Sequence, residues 1–329
     1  MASFRLLRDF SPAKQQIAFG SIYALSPEIY VLDEPSANLD KIATSRLREL
    51  LVQLKNSGKT LLISEHRLYY LRDVADQVAL IHEGRLAGLY DMNQLAAADA
   101  TTLNRMGLRT LWDIEISASP ASCPVRIPAL EIRNLSVKRG KKTVLKNINI
   151  SVDYGDVVGI IGENGIGKTT LARTVCGLMK EDEGDIYVAG QLTNLRMRKQ
   201  FAFLVMQDPN YQLFSDSVLG ETALTASGEI PDSEDVQRIL SSLELTSVRD
   251  RHPLSLSGGQ KQRLCIALAA LSPARILFFD EPTSGLDFKN MNRVAKMLKE
   301  LSKEKTIIVI SHDNEFLDLA CTRIISLSR

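Results

Sequence analysis

The most regular feature of the chain is a set of short, continuous apolar runs that alternate with helical stretches. In the C-terminal part, VVGIIG, RILFFD and TIIVIS contain no regular polar positions, which is typical of strands buried on both faces. GKTTLARTVCGLM and NMNRVAKMLKELS lie between such runs and have helical patterns. The order predicts an α/β domain with a mainly parallel sheet.

Three sequence blocks occur twice in the same order, which predicts a duplicated domain. YVLDEPSANLD (Tyr30–Asp40) corresponds to LFFDEPTSGLD (Leu277–Asp287), and KTLLISEHR (Lys59–Arg67) corresponds to KTIIVISHD (Lys305–Asp313). AKQQIAFGS near the start corresponds to QKQRLCIAL (Gln260–Leu268). The second copy has a long front half before its LSLSGGQ block, beginning at ALEIRNLSV, and the first copy lacks this half.

These blocks divide the chain into three predicted parts. Residues 1–96 are a truncated first copy without a phosphate loop, and residues 129–329 are a complete second copy. Residues 97–128 are rich in Ala, Ser, Thr and Pro and are interpreted as a linker. We interpret the truncation as a shortened reading of a longer two-copy subunit, with an asymmetric regulatory half as the alternative.

Composition mainly excludes other classes of protein. A chain of 329 residues with 45% hydrophobic and 24% charged residues is typical of a soluble protein with two domains. The 40 basic and 39 acidic residues give no broad basic surface for nucleic acid. We expect neither a secretory signal nor a membrane-spanning run. The four cysteines are far apart and are expected to be reduced core thiols of a cytosolic protein: Cys123, Cys176, Cys265 and Cys321.

GENGIGKTT, between the strand VVGIIG and a helix, fits the phosphate-loop pattern G-x-x-x-x-G-K-[ST]. Its glycines allow successive backbone N–H groups to point at one anion, beside a helix N-terminus. Lys168 adds a positive charge for the β- and γ-phosphates, and the Thr169 hydroxyl is suited to Mg²⁺. The residues predicted to bind nucleotide here are Gly162, Asn164, Gly165, Gly167, Lys168, Thr169 and Thr170.

Polar residues at two strand ends supply candidate catalytic groups. Asp280, at the end of ILFFD, is predicted to be a direct or water-mediated ligand of Mg²⁺. The next residue, Glu281, is predicted to polarise the attacking water. His312 follows TIIVIS, has a counterpart in His66, and is predicted to orient the γ-phosphate.

A second loop, LSGGQ (Leu256–Gln260), opens another helix. The Ser257 hydroxyl and the amides of Gly258 and Gly259 predict a second anion site at a helix start. Gln260 is the fourth residue of this loop that is predicted to bind nucleotide.

The order GENGIGKT, LSGGQ, FFDEPTSGLD and SH resembles the ABC-type ATPases, over nearly all of residues 130–329 and, in truncated form, about 1–95. The resemblance implies a P-loop NTPase fold with a mainly parallel sheet and a helical subdomain, with ATP and Mg²⁺ as cofactors. It implies that two nucleotide domains pair head to tail, each ATP lying between one P-loop and the other LSGGQ. It also implies that Gln207 senses Mg²⁺ and takes part in catalysis.

Two segments resemble the ATPase subunits of energy-coupling-factor importers, which take up vitamins and transition-metal ions. They are NYQLF, after Gln207, and EHRLYYL (Glu65–Leu71). In that family these segments line the groove that receives coupling helices of a membrane subunit. The alternative is that Tyr211, Leu213 and Phe214 are ordinary core residues.

The chain departs from the family pattern at two places. Arg139 lies at or near the position of an adenine-stacking aromatic residue, and its guanidinium can also stack on a base. The counterpart of LSGGQKQR in the first copy is FSPAKQQ (Phe10–Gln16), where Pro12 lacks an N–H and Ala13 lacks the freedom of glycine. Ser11 is the remaining element of this second anion site.

The favoured function is an ATP-hydrolysing subunit of a membrane importer, located peripherally at the cytoplasmic face of the cell membrane. Its expected partners are a membrane-embedded transporter subunit and a second ATPase domain, without nucleic acid. One alternative is a soluble ABC protein acting on ribosomes or DNA, for which a long charged linker and a basic surface are expected but not found. The other is a nucleotide-binding remnant without turnover, which the altered first copy favours.

Overall fold

The computed structural model describes residues 20, 25–37, 39–82, 84–119, 127–225 and 233–328. The chain divides into two compact units, residues 1–114 with 285–289 and residues 115–284 with 290–329. Phe10–Gln16, with Ser11, Pro12 and Ala13, and also Cys123 lie outside the described residues. No helix among the described residues is long and apolar enough to cross a membrane.

The described part of the first unit contains two pairs of strands and three helices. The strands β1 and β2 are parallel, and β3 and β4 are antiparallel. The elements are β1 (Ile29–Asp33), α1 (Lys41–Asn56), β2 (Thr60–Ser64), β3 (Gln77–His82), β4 (Arg85–Asp91), α2 (Met92–Ala97) and α3 (Ala100–Arg105).

Helix α1 covers one face of β1 and β2. Asp40 caps its first turn by accepting a hydrogen bond from the backbone N–H of Ala43 at 2.8 Å. Along the helix, Leu51 is one of the leucines at helical spacing that are buried in one cluster with Tyr30 and Leu32 of β1. Because side chains alternate across a strand, the neighbouring Ile29 and Val31 point to the other face.

The structure differs from the sequence interpretation in the segment taken as a linker. Helix α3 lies in this segment, and Leu103 and Leu111 are buried in a cluster with Met92 and Leu95. The segment 100–111 therefore contributes to the core of the first unit. Its few leucines are separated by Ala, Thr and Asn, so composition concealed the apolar positions.

The described residues of the second unit contain two sheets and seven α-helices. Its strands are β5 (Leu130–Arg139), β6 (Lys142–Val152), β7 (Val157–Ile161), β8 (Glu183–Val188), β9 (Gln191–Leu192), β10 (Ala202–Val205), β11 (Ile276–Asp280), β12 (Thr306–Ile310) and β13 (Arg323–Ser326). Its helices are α4 (Lys168–Val175), α5 (Leu195–Phe201), α6 (Val218–Thr225), α7 (Glu234–Ser242), α8 (Gly258–Leu271), α9 (Phe288–Leu301, of which 290–301 belong to this unit) and α10 (Asn314–Ala320).

The main sheet of this unit has five strands in the order β10-β11-β12-β7-β13, and every neighbouring pair is parallel. Every residue of β11 and β12 is buried, as expected for strands covered on both faces. Strands β6, β5, β8 and β9 form a separate antiparallel sheet. The predicted α/β class with a mainly parallel sheet is confirmed.

A helical part accompanies the sheets. Helices α6 and α7 both contact α8, whose residues 262–270 are buried without interruption. A helix segment that is buried on all sides belongs to an interior, so this segment of α8 lies at the centre of the helical part. The predicted helical subdomain is confirmed.

Candidate functional site

The glycine-rich loop lies between the end of β7 and the start of α4, at the carboxyl edge of the parallel sheet. Gly162, Gly165 and Gly167 have φ angles of 151°, 79° and 118°, which are strained for any residue with a side chain. A Cβ atom on Gly162 would lie 2.7 Å from the carbonyl oxygen of Leu327. The loop therefore requires glycine for both conformation and space.

Lys168 is the first residue of α4, and its side chain turns back over the loop. Its Nζ donates hydrogen bonds to the carbonyl oxygens of Gly162 at 2.6 Å and Glu163 at 3.0 Å. The same Nζ lies 3.1 Å from His312 Nε2. These contacts hold a buried positive charge against the loop, beside the amide-rich start of a helix.

Thr169 and Asp280 bring a hydroxyl and a carboxylate together at the end of β11. The Thr169 hydroxyl donates to Asp280 Oδ2 at 2.8 Å. Burial raises the pKa of Asp280, while the bond from Thr169 and the nearby charges of Lys168 and Arg173 act in the opposite direction.

These oxygen atoms suit Mg²⁺, which is usually held by one or two protein carboxylates together with phosphate oxygens and water. No group of three or more His, Cys, Asp or Glu side chains that could hold a metal occurs in the described part of the chain. Thr169 and Asp280 therefore fit a Mg²⁺ ion that takes its other ligands from a bound nucleotide and water. The magnesium site itself stays a prediction.

Glu281 is fixed by both its backbone and its carboxylate. It has a φ of 51°, which is unusual for a residue other than glycine, and its N–H donates to the carbonyl of Ile310 at 2.8 Å. Its carboxylate accepts hydrogen bonds from the Ser311 hydroxyl at 3.0 Å and from the His312 N–H at 3.1 Å. The two residues that follow β12 thus orient the carboxylate of Glu281, which follows β11.

His312 joins the loop after β12 to the phosphate loop. Its Nε2 lies 3.0 Å from Asn164 Oδ1, 3.1 Å from Lys168 Nζ and 4.0 Å from Glu281 Oε1. A neutral imidazole nitrogen either accepts from the lysine or donates to the asparagine, so its tautomer selects the partner. Thr170, also predicted to bind nucleotide, is buried in the first turn of α4.

The remaining predicted residues lie on other elements. Gln207 is exposed, two residues beyond β10, the neighbour of β11 in the sheet. Ser257 caps α8: its hydroxyl accepts from the N–H of Gln260, and the Gln260 side chain accepts from the N–H of Ser257. Gly258 and Gly259 form the first turn of α8, whereas Arg139 is exposed at the end of β5.

The segment after Gln207 presents two large apolar side chains to solvent. Tyr211 is 70% exposed and Phe214 is 79% exposed, whereas Leu213 between them is 6% exposed. Only Leu213 therefore behaves as an ordinary core residue.

The sequence analysis did not single out Ser311, whose hydroxyl donates a hydrogen bond to the Glu281 carboxylate. Its position directly before the predicted His312 was the available signal. It also missed the buried bond from the Thr283 hydroxyl to Asp313 Oδ2, 2.8 Å long, which joins the loops that follow β11 and β12.

A family profile described as "ABC transporter" matches residues 145–284, which include the phosphate loop, the LSGGQ loop and the acidic pair. The chain contains an ABC transporter ATP-binding domain. A putative ABC transporter ATP-binding protein of Treponema denticola is 42% identical over 96% of this chain and 65% of its own length. The chain thus spans about two thirds of the length of such relatives.

Two further comparisons concern transport proteins. A putative HMP/thiamine import ATP-binding protein, YkoD of Bacillus subtilis, is 27% identical over 92% of this chain and 61% of its own length. The structure of CbiO1 from Clostridium perfringens, described as part of the ABC transporter complex CbiONQ, superimposes with a TM-score of 0.54. It is 26% identical and covers 62% of this chain and 86% of CbiO1. The predicted ABC-type resemblance is confirmed.

Proposed function

We propose that the chain binds ATP with Mg²⁺, hydrolyses it, and energises a membrane importer of the energy-coupling-factor type. The observation that carries the proposal is the convergence of five side chains at one edge of the parallel sheet. They are Lys168, Thr169, Asp280, Glu281 and His312.

Each of these residues has a role consistent with its contacts. Lys168 and the loop amides bind the β- and γ-phosphates. Thr169 and Asp280 would hold Mg²⁺, which would supply charge neutralisation at the phosphates. Glu281 orients the attacking water and accepts its proton, because Ser311 and the His312 N–H keep its carboxylate in a fixed direction. His312, next to Lys168 and Asn164, contacts the terminal phosphate.

Phosphate release by the purified chain tests this assignment. We expect Glu281→Gln to reduce turnover by about a hundredfold or more, because the amide cannot accept the proton, while ATP still binds. Glu300→Gln is the matched control, since Glu300 is an exposed carboxylate on α9. Wild-type turnover in Glu281→Gln, or equal loss in both variants, would refute the role of Glu281.

The LSGGQ loop is the reason for proposing a second partner, which is another ATPase domain. A further copy of the chain or a paralogue would supply this domain. We infer that the loop's Ser257 hydroxyl and glycine amides bind an anion at the start of α8, apart from the phosphate loop at the start of α4. When the second units of two chains pair head to tail, the phosphate loop of each chain faces the LSGGQ loop of the other chain. This arrangement is symmetric and closed, and it gives two complete sites.

Mixing two inactive variants tests the pairing. Lys168→Ala removes the phosphate contact, and Gly258→Glu places a negative charge in the LSGGQ loop. The fold accommodates the latter change, because a Cβ on Gly258 has no heavy atom within 4 Å apart from its own helix and neighbours. Mixed dimers contain one intact site, so we expect partial recovery of activity and a wild-type rate per chain that rises with protein concentration. An inactive mixture beside an active wild type, or a rate independent of concentration, contradicts pairing in trans.

The membrane partner is supported by the exposed side chains of Tyr211 and Phe214 and by the likeness to a component of the CbiONQ complex and to a thiamine import protein. We infer that these two aromatic residues receive a helix of a transporter subunit at the cytoplasmic face of the membrane. The cargo class, a vitamin or a transition-metal ion, follows from the resemblance of NYQLF and EHRLYYL to the importer ATPases.

Replacing both aromatic residues by serine tests this contact in solubilised membranes of the encoding organism. We expect the double variant to retain ATP binding and to lose the membrane proteins that copurify with the wild-type chain. Tyr154→Ser is the matched control, since Tyr154 is 66% exposed between β6 and β7. Unchanged copurification in the double variant would exclude this surface.

A further inference from the structure

The outer edge of the parallel sheet is hydrogen-bonded to a residue 205 positions earlier in the chain. Strand β13 is the last strand of the five-stranded sheet, and the edge of such a strand carries backbone groups that its neighbour does not pair. Ser119 meets this edge from the segment 115–119, which is neither helix nor strand. Its N–H donates to the carbonyl of Ile324 at 2.9 Å, and its Oγ accepts from the Ile324 N–H at 2.9 Å. One serine thus pairs both backbone polar groups of Ile324.

Ile324 in turn lies against the strand that leads into the phosphate loop. It is paired in register with Gly159 of β7 and is 8% exposed. A Cβ atom on Gly159 would lie 2.6 Å from Ile324 Cδ1, so the isoleucine side chain occupies the space that the glycine leaves open. Two residues after Gly159, β7 ends at Ile161 and the phosphate loop begins with Gly162. The position of Ile324 is therefore coupled by direct packing to the strand that carries the loop.

The residue that follows β13 contacts the phosphate loop itself. The N–H of Leu327 donates to the carbonyl of Ile161 at 2.9 Å, and the Leu327 carbonyl closes the space beside Gly162. The Leu327 side chain is buried in one cluster with Ile166 of the loop and Leu171 of α4. Contacts therefore continue from Ser119 along β13 to both ends of the loop.

The two bonds depend on the side chain of Ser119 as well as on its backbone. A hydroxyl one bond from Cβ accepts a hydrogen bond close to the main chain, as threonine also can. Alanine at this position would leave the Ile324 N–H without this acceptor, and a polar group that loses its partner in a partly buried place is unfavourable. A segment that only connected two units would need no such acceptor.

We propose that Ser119 is a positioning residue for the phosphate loop and that it acts through β13. Its bonds to Ile324 keep the end of β13 in place, and Leu327 then holds Gly162 and Ile166 in the loop conformation that receives phosphate. Residue 119 lies shortly after residue 114, where the N-terminal part of the first unit ends, so the connection between the units is bonded to the nucleotide-binding sheet at this point. The inference rests on the proposed binding of ATP at the phosphate loop, and it needs neither hydrolysis nor a membrane partner.

Such a coupling is reciprocal. If the bonds of Ser119 favour bound nucleotide, then bound nucleotide favours these bonds by the same factor. The exchange of the Ile324 amide hydrogen reports on the bonds, and nucleotide titration reports on the loop. The two measurements therefore test the same coupling from both sides.

Titration of the full chain with a fluorescent, non-hydrolysable ATP analogue is the first measurement. We expect Ser119→Ala to weaken binding by about two- to tenfold, which is the effect of one hydrogen bond, and Ser119→Thr to restore it because threonine keeps the γ-oxygen. Ser117→Ala is the matched control, since Ser117 is an exposed serine of the same segment. Equal binding by Ser119→Ala and wild type, or an equal loss in Ser117→Ala, would overturn the proposal.

Amide hydrogen exchange of residues 323–327 is the second measurement, and it separates positioning of the loop from a purely structural role. We expect the analogue to slow exchange of the Ile324 amide in wild type and to have no such effect in Ser119→Ala. Faster exchange in Ser119→Ala with the same slowing by the analogue would show a structural bond only and would overturn the inference alone. A wild-type chain that does not bind the analogue would overturn the proposed function together with this inference.

Discussion

Lys168→Ala is the substitution for which the structure gives the clearest expected magnitude. The amine is buried, donates to two loop carbonyls at 2.6 and 3.0 Å, and lies beside His312. The surrounding helix start and glycine amides favour an anion at the same place. Removing the amine therefore removes a charge from a site that solvent screens little.

The expected loss follows from the strength of a charged hydrogen bond. Such a bond contributes about 1.5–3 kcal/mol when its partner is phosphate rather than water. Since about 1.4 kcal/mol corresponds to a factor of ten, ATP affinity should fall by roughly ten- to a hundredfold.

Equilibrium titration with a fluorescent ATP analogue measures this change. Lys180→Ala is the matched control, because Lys180 is exposed shortly after α4 and its loss should leave affinity unchanged. Circular dichroism of both variants shows whether the second unit remains folded. A folded Lys168→Ala chain that binds ATP within about twofold of wild type would refute the placement of the site.

Three further outcomes are expected. Glu281→Gln should reduce ATP hydrolysis by about a hundredfold or more while binding persists, as phosphate release and titration will show. Burial raises the pKa of Cys265 and Cys321 to about 12 and also raises that of Cys176. The thiolate fraction of Cys265 and Cys321 at pH 8 is thus of order 10⁻⁴, and that of Cys176 is lower still. Mass spectrometry should show slow alkylation of these three thiols until the chain unfolds; rapid labelling of any of the three in the native chain would contradict this. Residues 1–95 expressed alone should aggregate or exchange amide hydrogens rapidly, because apolar β1 and β2 side chains are exposed; a soluble, cooperatively folded monomer would disprove this.

Local residue patterns were sufficient to predict the class of fold and the central part of the candidate site. Continuous apolar runs identified strands buried on both faces, and glycine and lysine spacing identified the loop between β7 and α4. These features are local, because apolar runs and loop conformation are set by residue types within a few positions. For the same reason, Asp280 and Glu281 could be placed at a strand end before any contact was known.

The contacts between distant residues depend on how the strands pair and could not be read from local patterns. Asn164 and His312 are 148 residues apart, and their side chains lie 3.0 Å from each other. The support of Glu281 by Ser311 likewise depends on the pairing of β11 with β12.

Exposure was decided in the same way. The apolar residues of NYQLF look alike in sequence, yet Leu213 is buried and Phe214 is exposed. The leucines of residues 100–111 belong to a core that their polar neighbours concealed. The period of the apolar residues indicates which side chains share one face of an element. Which other element covers that face depends on long-range packing, and the neighbouring residues in the sequence carry no signal for it.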